Sequence, residues 1–418
     1  MSARGNIAAL LLGTSLCAAS PALAGGYDTP ILYSAQHMGM GGAAIAYVDD
    51  PTAMFHNPAG IARTEGLTLT LNATLILGTI QSTPSTDSKN LDSNDITALA
   101  PLAGVTVKPL DWLAFGFGFY PVASAGAEYE YKNALGGDVT NSTDVVFLEM
   151  APTVAFHLPG NVNIGASWRI VLASLDRQLD DPNPSNPNFD ASLSGSNVAA
   201  FRVGAQWDPI PELQIGVVFR NKTTTTLVDD SGVAIGGTPK RIETDFVLPA
   251  KLGFGVRLKL DPVRVAADVE YAFQSQNEKS TFLLGPNKQP GLVPIVSYFE
   301  WHNATTLRLG VEYALQERFF FRGGFIYDSQ VSNEDFPSAF GTPPTSSTTV
   351  TAGFGLACGN NWKLNFAFAH RFAETDVPVN PSPDPDKACL PCSQPGHYQL
   401  SMTGLYVDFT YAFADLFK

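Results

Sequence analysis

The sequence predicts an all-β protein, a 14-stranded antiparallel transmembrane β-barrel with an N-terminal plug in its lumen. Three observations carry that expectation. Apolar and polar residues alternate with period two through most of the chain. Turn signals alternate between short and long. The stretch 25–65, rich in glycine and alanine, precedes the first strand and does not alternate at all.

The alternation is regular. In LTLTLNATLIL, Leu67, Leu69, Leu71, Ala73, Leu75 and Leu77 share one face, and Thr68, Thr70, Asn72 and Thr74 the other. After Asn161, the series Val162, Ile164, Ala166, Trp168, Ile170, Leu172 alternates with Asn163, Gly165, Ser167 and Arg169. The last segment sets Leu405, Val407, Phe409, Tyr411 and Phe413 against Tyr406, Asp408, Thr410 and Ala412. Successive side chains on a strand point to opposite faces, so each segment has an apolar face and a polar one.

Short turns are expected at Pro109–Asp111, Leu158–Asn161, Asp208–Pro211, Asp261-Pro262, Gln316-Glu317 and Gly359–Asn361. Long polar loops are expected near 82–96, 126–143, 180–195, 228–243, 278–297, 331–347 and 376–397. Six short turns and seven long loops separate 14 strands and put both barrel ends on one side. Tight periplasmic turns and longer extracellular loops are the layout of bacterial outer-membrane barrels. A soluble β-sandwich is the alternative fold. Strands long enough to cross a bilayer at a tilt argue against it, as does the absence of a continuous apolar core strand. The expected lumen face carries Arg169, Arg202, Arg220, Arg257, Arg308, Arg322 and Arg371, and Trp112, Trp207, Trp301 and Trp362 sit near strand ends as interface girdles do.

The start of the chain agrees with export. Arg4, the apolar run Ile7–Ala19 and Ala22-Leu23-Ala24 form a signal-peptide layout, which places the mature start at Gly25. The domain boundaries expected are 1–24 signal peptide, 25–65 plug and 66–418 barrel. A mean hydropathy of +0.04 fits a barrel, whose two faces cancel in any average. The net charge of −14 argues against a nucleic-acid partner. Of four cysteines, Cys389 and Cys392 read as a loop disulfide in an oxidising compartment rather than a redox site, with Cys358 unpaired or competing for one of them. The six histidines show no metal-ligand spacing, and no cofactor is expected.

The plug region carries the most specific signal. Gly39, Gly41 and Gly42 open GMGGAAIA; Asp49, Asp50, Pro51 and Phe55 lie in DDPTAMF; Asn57, Pro58, Ala59 and Gly60 form NPAG. Asp49 and Asp50 read as turn caps or partners of lumen arginines rather than a catalytic pair. Asn57 reads as satisfying backbone groups of the plug. This motif, directly after a signal peptide and ahead of 14 strands, resembles the N-terminal signature of the FadL/TodX family of outer-membrane channels for long-chain fatty acids and other hydrophobic compounds.

The resemblance implies a mechanism. The N-terminal segment would act as a hatch, and ligand would rest beside the mature N-terminus at Tyr27, Ile31 and Leu32. It would then leave sideways through a gap beside a kinked third strand. The partners implied are a hydrophobic small molecule, outer-membrane lipid and lipopolysaccharide, and the barrel-assembly machinery, which would read Phe413 or Phe417 as its signal; a monomer is expected. The third strand itself, LAFGFGFYPVASAGAEY, supports the kink. Gly116 and Gly118 leave room on its inner face, and Pro121 after Tyr120 removes a ladder donor. The alternative is that Pro121 ends the strand at the rim. Barrel enzymes need His-x-Ser or adjacent Asp-His arrangements that this chain lacks, so a non-enzymatic role is expected. A diffusion porin and an adhesive or structural barrel are the remaining alternatives.

Overall fold

The computed structural model describes residues 33–183, 188–234, 239–285, 294–341, 343–359, 361–380, 384–387 and 393–413. The leader, Gly25, Tyr27, Ile31, Leu32, Cys389, Cys392 and Phe417 lie outside the described residues.

The chain forms a closed antiparallel barrel of 14 wall strands. In order they are Leu67–Ser82, Ile96–Leu110, Leu113–Lys132, Asp138–Leu158, Val162–Asp180, Phe189–Ile210 and Leu213–Arg220. Lys251–Leu260, Val263–Ala272, Ala304–Leu315, Phe319–Asp328, Ser347–Cys358, Trp362–Val377 and Gly396–Phe413 complete the ring. Neighbours pair in sequence, and the first strand closes on the last from Leu67↔Phe413 to Gln81↔Gln399. Closure leaves no free sheet edge at that seam for lipid to solvate.

Each expected tight turn joins two wall strands. At one of them Gly160 and Asn161 both take positive φ, 83° and 58°, a region these two residue types tolerate better than others. Two of the long loops are shorter than expected. The third to sixth strands run 20, 21, 19 and 22 residues, so the hairpins expected as loops at 126–143 and 180–195 are mostly strand. Beyond the bilayer both faces of a strand meet water or polar neighbours. The alternation then fades although the ladder continues.

The outward face is apolar, with Leu71 at 61% and Phe366 at 47% exposure, whereas Thr68, Thr70, Asn72 and Thr74 are buried inside. Trp112 and Trp207 lie on this outer surface. Trp301 does not: it is buried inside the barrel mouth, where aromatic packing claims it. All seven arginines of the expected lumen row are buried on the inner face.

Candidate transport path

Inside the barrel lies the N-terminal segment, residues 33–66, carrying two short helices, Ala35–Gly39 and Ala53–His56, and a 3₁₀ turn, Pro58–Arg63. It is almost wholly buried. Its path around the wall is set by glycines. A Cβ at Gly310 or Gly324 would collide with the backbone at Met40 or Gly41, one at Gly216 with Ile45 O, and one at Gly204 with Asn57 Oδ1. Gly165 would meet the Pro58 carbonyl, Gly104 would meet Pro51, and Gly39 and Gly353 abut each other. Main chain thus meets main chain along a belt of wall strands. Periodicity does not reveal this belt, because glycine reads as neither apolar nor polar. The signal that would have found it is glycine at inward positions between charged residues, as in Arg308-Leu-Gly310-Val-Glu312.

Charged and polar side chains tie the segment to this belt. Asp268 Oδ2 accepts the backbone N–H groups of Ala44 and Ile45 at 2.8 and 3.1 Å. Asp408 Oδ2 accepts Ser34 Oγ at 2.9 Å. The Arg257 guanidinium lies 4.0 Å from the Tyr47 ring centre, and Arg63 grips Asp208 with two bonds of 2.8 and 2.6 Å. Asn57 Nδ2 donates to Ile45 O at 2.8 Å and to wall carbonyl Ala205 O at 3.1 Å, while its Oδ1 accepts Ala59 N at 3.2 Å. Asp50 Oδ1 accepts Thr52 N at 2.7 Å and so caps the turn before the second helix; Asp49 is exposed. Gly41 has φ +63°, a conformation other residues rarely adopt. Gly42 borders a cavity of about 50 Å³, and Gly60 packs on Val48 O. Burial, then the neighbouring Asp49, push the Asp50 carboxyl up to about 7. Burial pushes His56 down to about 4.

The third strand departs from the regular wall. It does not end at Pro121; it continues to Lys132 with a bulge between Pro121 and Ala123 in its ladder to the fourth strand. Its ladder to the second strand runs from Leu110↔Leu113 to Ala103↔Phe119 and stops. The chain just ahead of the second strand meets the third again where Asn94 N donates to Glu128 O at 2.8 Å. Between these points the ladder joining the two strands is interrupted, and residues 120–127 are displaced inward, all of them buried. Pro121 supplies no N–H to hold the second strand, and the extra residue turns the strand away.

The displaced stretch is pinned to the N-terminal segment. Tyr33 donates its hydroxyl to Pro121 O at 2.6 Å, and Tyr120 donates to Glu149 at 2.7 Å with its hydroxyl oxygen 3.1 Å from Met54 O. Glu149 also binds Arg169 at 2.6 Å and Arg202 at 3.0 Å, and Arg202 donates to Met54 O at 2.5 Å. Phe55 packs edge-on to both Tyr33 and Tyr120. The room left by Gly116 and Gly118 is filled by Met54, within 3.0 and 3.2 Å of where a Cβ would stand.

Above this polar layer the inner surface changes character. Ile76, Ile80, Ala98, Leu102, Val145 and Phe147 face inward and are buried. The lumen is therefore not charged throughout: arginines serve the seat of the segment, and the half toward the long loops is apolar. Here a cavity of about 190 Å³ opens, lined by Phe189, Phe246, Phe282, Phe299, Trp301 and Phe340. Ala125, in the displaced stretch of the third strand, forms part of its wall. Loop residues 329–341 fold inward over it, with Val331 and Ala339 buried.

Comparison with known proteins agrees with this architecture. Similar solved structures include a FadL homologue of Pseudomonas aeruginosa, at 15% identity and TM-score 0.71, covering 94% of this chain and 99% of that one. They also include the toluene transporter TbuX of Ralstonia pickettii, at 18% identity and TM-score 0.68, covering 91% and 98%. In sequence, the chain is 23% identical over 420 residues to an outer membrane protein of Neisseria meningitidis serogroup B, covering 86% of this chain and 88% of the relative. The family model described as outer membrane protein transport protein (OMPP1/FadL/TodX) matches residues 15–413. The chain therefore belongs to the OMPP1/FadL/TodX family of outer-membrane transport proteins, and is a multi-pass β-barrel channel of that membrane rather than an enzyme.

Proposed function

We propose that the protein takes up hydrophobic molecules of about single-ring size, passively, through a hatch-gated path with lateral exit. The observation that carries this reading is the aromatic cavity that reaches the displaced third strand at Ala125. A dry apolar cavity of about 150 Å³ suffices for benzene, and the cavity here is about 190 Å³. Among solved relatives of the same fold, TbuX and TodX are named toluene transporters and CymD a monoaromatic hydrocarbon channel. An apolar ligand loses favourable surroundings if it must cross a charged layer. The gap between the second and third strands offers an exit above the arginine seat and into the membrane.

In this reading residues 25–65 are the hatch, Gly39 to Gly60 shape its seat, and Tyr27, Ile31 and Leu32 approach the ligand. Hatch and exit are coupled through Tyr33, Tyr120 and Met54, so displacing the segment frees the kinked strand. The outer face sits in lipid and lipopolysaccharide, and one chain suffices for transport.

The test is uptake of radiolabelled toluene by cells that depend on this protein. Deleting the gene should abolish saturable uptake and leave sugar uptake unchanged. Cysteines at Ser34 and Asp408, whose side chains touch at 2.9 Å, should lock the segment when oxidised and stop uptake until reduced. Undiminished uptake in the locked form would sink the gating idea. Free ion conduction in planar bilayers would favour a diffusion porin instead.

A further inference from the structure

The inward loop residues 329–341 are held at one point by two hydrogen bonds. Ala339 is completely buried. Its carbonyl accepts the Tyr129 hydroxyl at 2.6 Å, and its N–H donates to Ser393 Oγ at 2.7 Å. Two bonds to one residue fix the direction of the next. Phe340 is thereby aimed at the third strand, edge-on to the Tyr129 ring at 5.8 Å, with the Arg177 guanidinium 5.3 Å from its centre. The third strand answers with methyl groups: Ala123, Ala125 and Ala127 are the inward residues next to Tyr129, and all are buried. Phe340 and Ala125 both border the aromatic cavity.

We propose that Phe340 is the size-selecting residue of this channel, its ring setting the width between the cavity and the alanine-lined third strand, with Tyr129 as its positioning residue. The proposal rests on the hydrophobic-uptake reading above. A single ring fits beside Phe340. A fused pair of rings must displace it, against a clamp made by two hydrogen bonds and two ring contacts. Removing the phenyl ring opens the passage. Removing only the Tyr129 hydroxyl loosens the clamp and keeps the ring.

Trp301 borders the same cavity and reports occupancy. Full-length protein in detergent is titrated with bromobenzene and with 1-bromonaphthalene, each of which quenches a tryptophan it touches. The cavity signal is the part of the quench lost in a matched Trp301→Phe background. Wild type should bind bromobenzene more tightly than 1-bromonaphthalene. In Phe340→Ala the ratio should move toward the larger probe by about tenfold or more, the scale on which a hydrophobic pocket discriminates by size. Phe340→Leu and Tyr129→Phe should move it the same way by less, and they carry the test if the alanine variant fails to fold. Normal bromobenzene binding with an unchanged ratio in these variants overturns the proposal alone. A wild type that binds neither probe overturns the transport reading and this one with it.

Discussion

Asn57 is the residue whose loss should speak most directly about the seat of the N-terminal segment. It is fully buried, donates to Ile45 O and Ala205 O at 2.8 and 3.1 Å, and accepts Ala59 N at 3.2 Å. A neutral hydrogen bond contributes about 0.5–1.5 kcal/mol net, so Asn57→Ala should weaken seating by roughly 2–4 kcal/mol. The vacancy left against Gly204 pushes toward the upper end. At 1.4 kcal/mol per decade, local opening becomes about 30- to 700-fold more populated. Hydrogen exchange with mass spectrometry on the full-length protein reads this factor. Amides of residues 45–63 should lose protection by that amount while the wall strands keep theirs. Asn57→Asp should be worse, because a carboxylate would face the carbonyls that now accept from Nδ2. Unchanged protection over 45–63 would refute the anchoring role. Equal loss across the wall would show that Asn57 supports the whole barrel and not a separable seat.

Four other perturbations follow from the same geometry. Glu149→Gln removes the carboxylate shared by buried Arg169 and Arg202 and should cost about 3–5 kcal/mol, seen as a lower melting temperature in detergent; Tyr120→Phe should cost about 1 kcal/mol. Deleting Val122 removes the extra residue of the bulge; toluene uptake should fall to background while the barrel's circular dichroism stays that of the parent. Asp50→Asn should alter the pH response of the seat. Asp50, raised to about 7 from 3.8, stabilises seating fully below pH 3.8 and loses that contribution as pH rises through about 7. His56, lowered to about 4 from 6.5, stabilises it fully above pH 6.5 and less as pH falls toward 4. The two oppose each other in that window. The variant should therefore lose exchange protection over 45–63 on acidification from pH 6.5 to 4 more steeply than the parent, and parallel profiles would contradict the assignment.

Much of the barrel was legible because lipid imposes a simple rule on one face. Leu69, Phe117, Trp168 and Phe409 are outward as the alternation requires, and the arginine row is inward. The alternation fails where both faces are alike. Ile76 and Leu102 face an apolar upper lumen, so nothing in their segments marks the change from seat to cavity. Glu130 and Asp190 belong to strand stretches beyond the bilayer and read as loop. Trp301 sits at a strand end like a girdle residue but turns inward, a choice made by Phe299 and the folded loop rather than by local sequence. An irregularity at Pro121 was readable from one residue, and a bulge stands there. Where the second strand's ladder stops was not, because that depends on two strands and not on one.

The belt of wall glycines divides the molecule's inheritance in two. Closure is written in backbone shape, at positions where any side chain would be an obstruction. In the reading proposed above, ligand fit is written in side chains such as Phe246, Phe282 and Phe340, on strand extensions and loops away from that belt. Substitutions that reshape the cavity leave the closure unaltered. Selectivity and sealing are therefore free to diverge as separate traits on one scaffold.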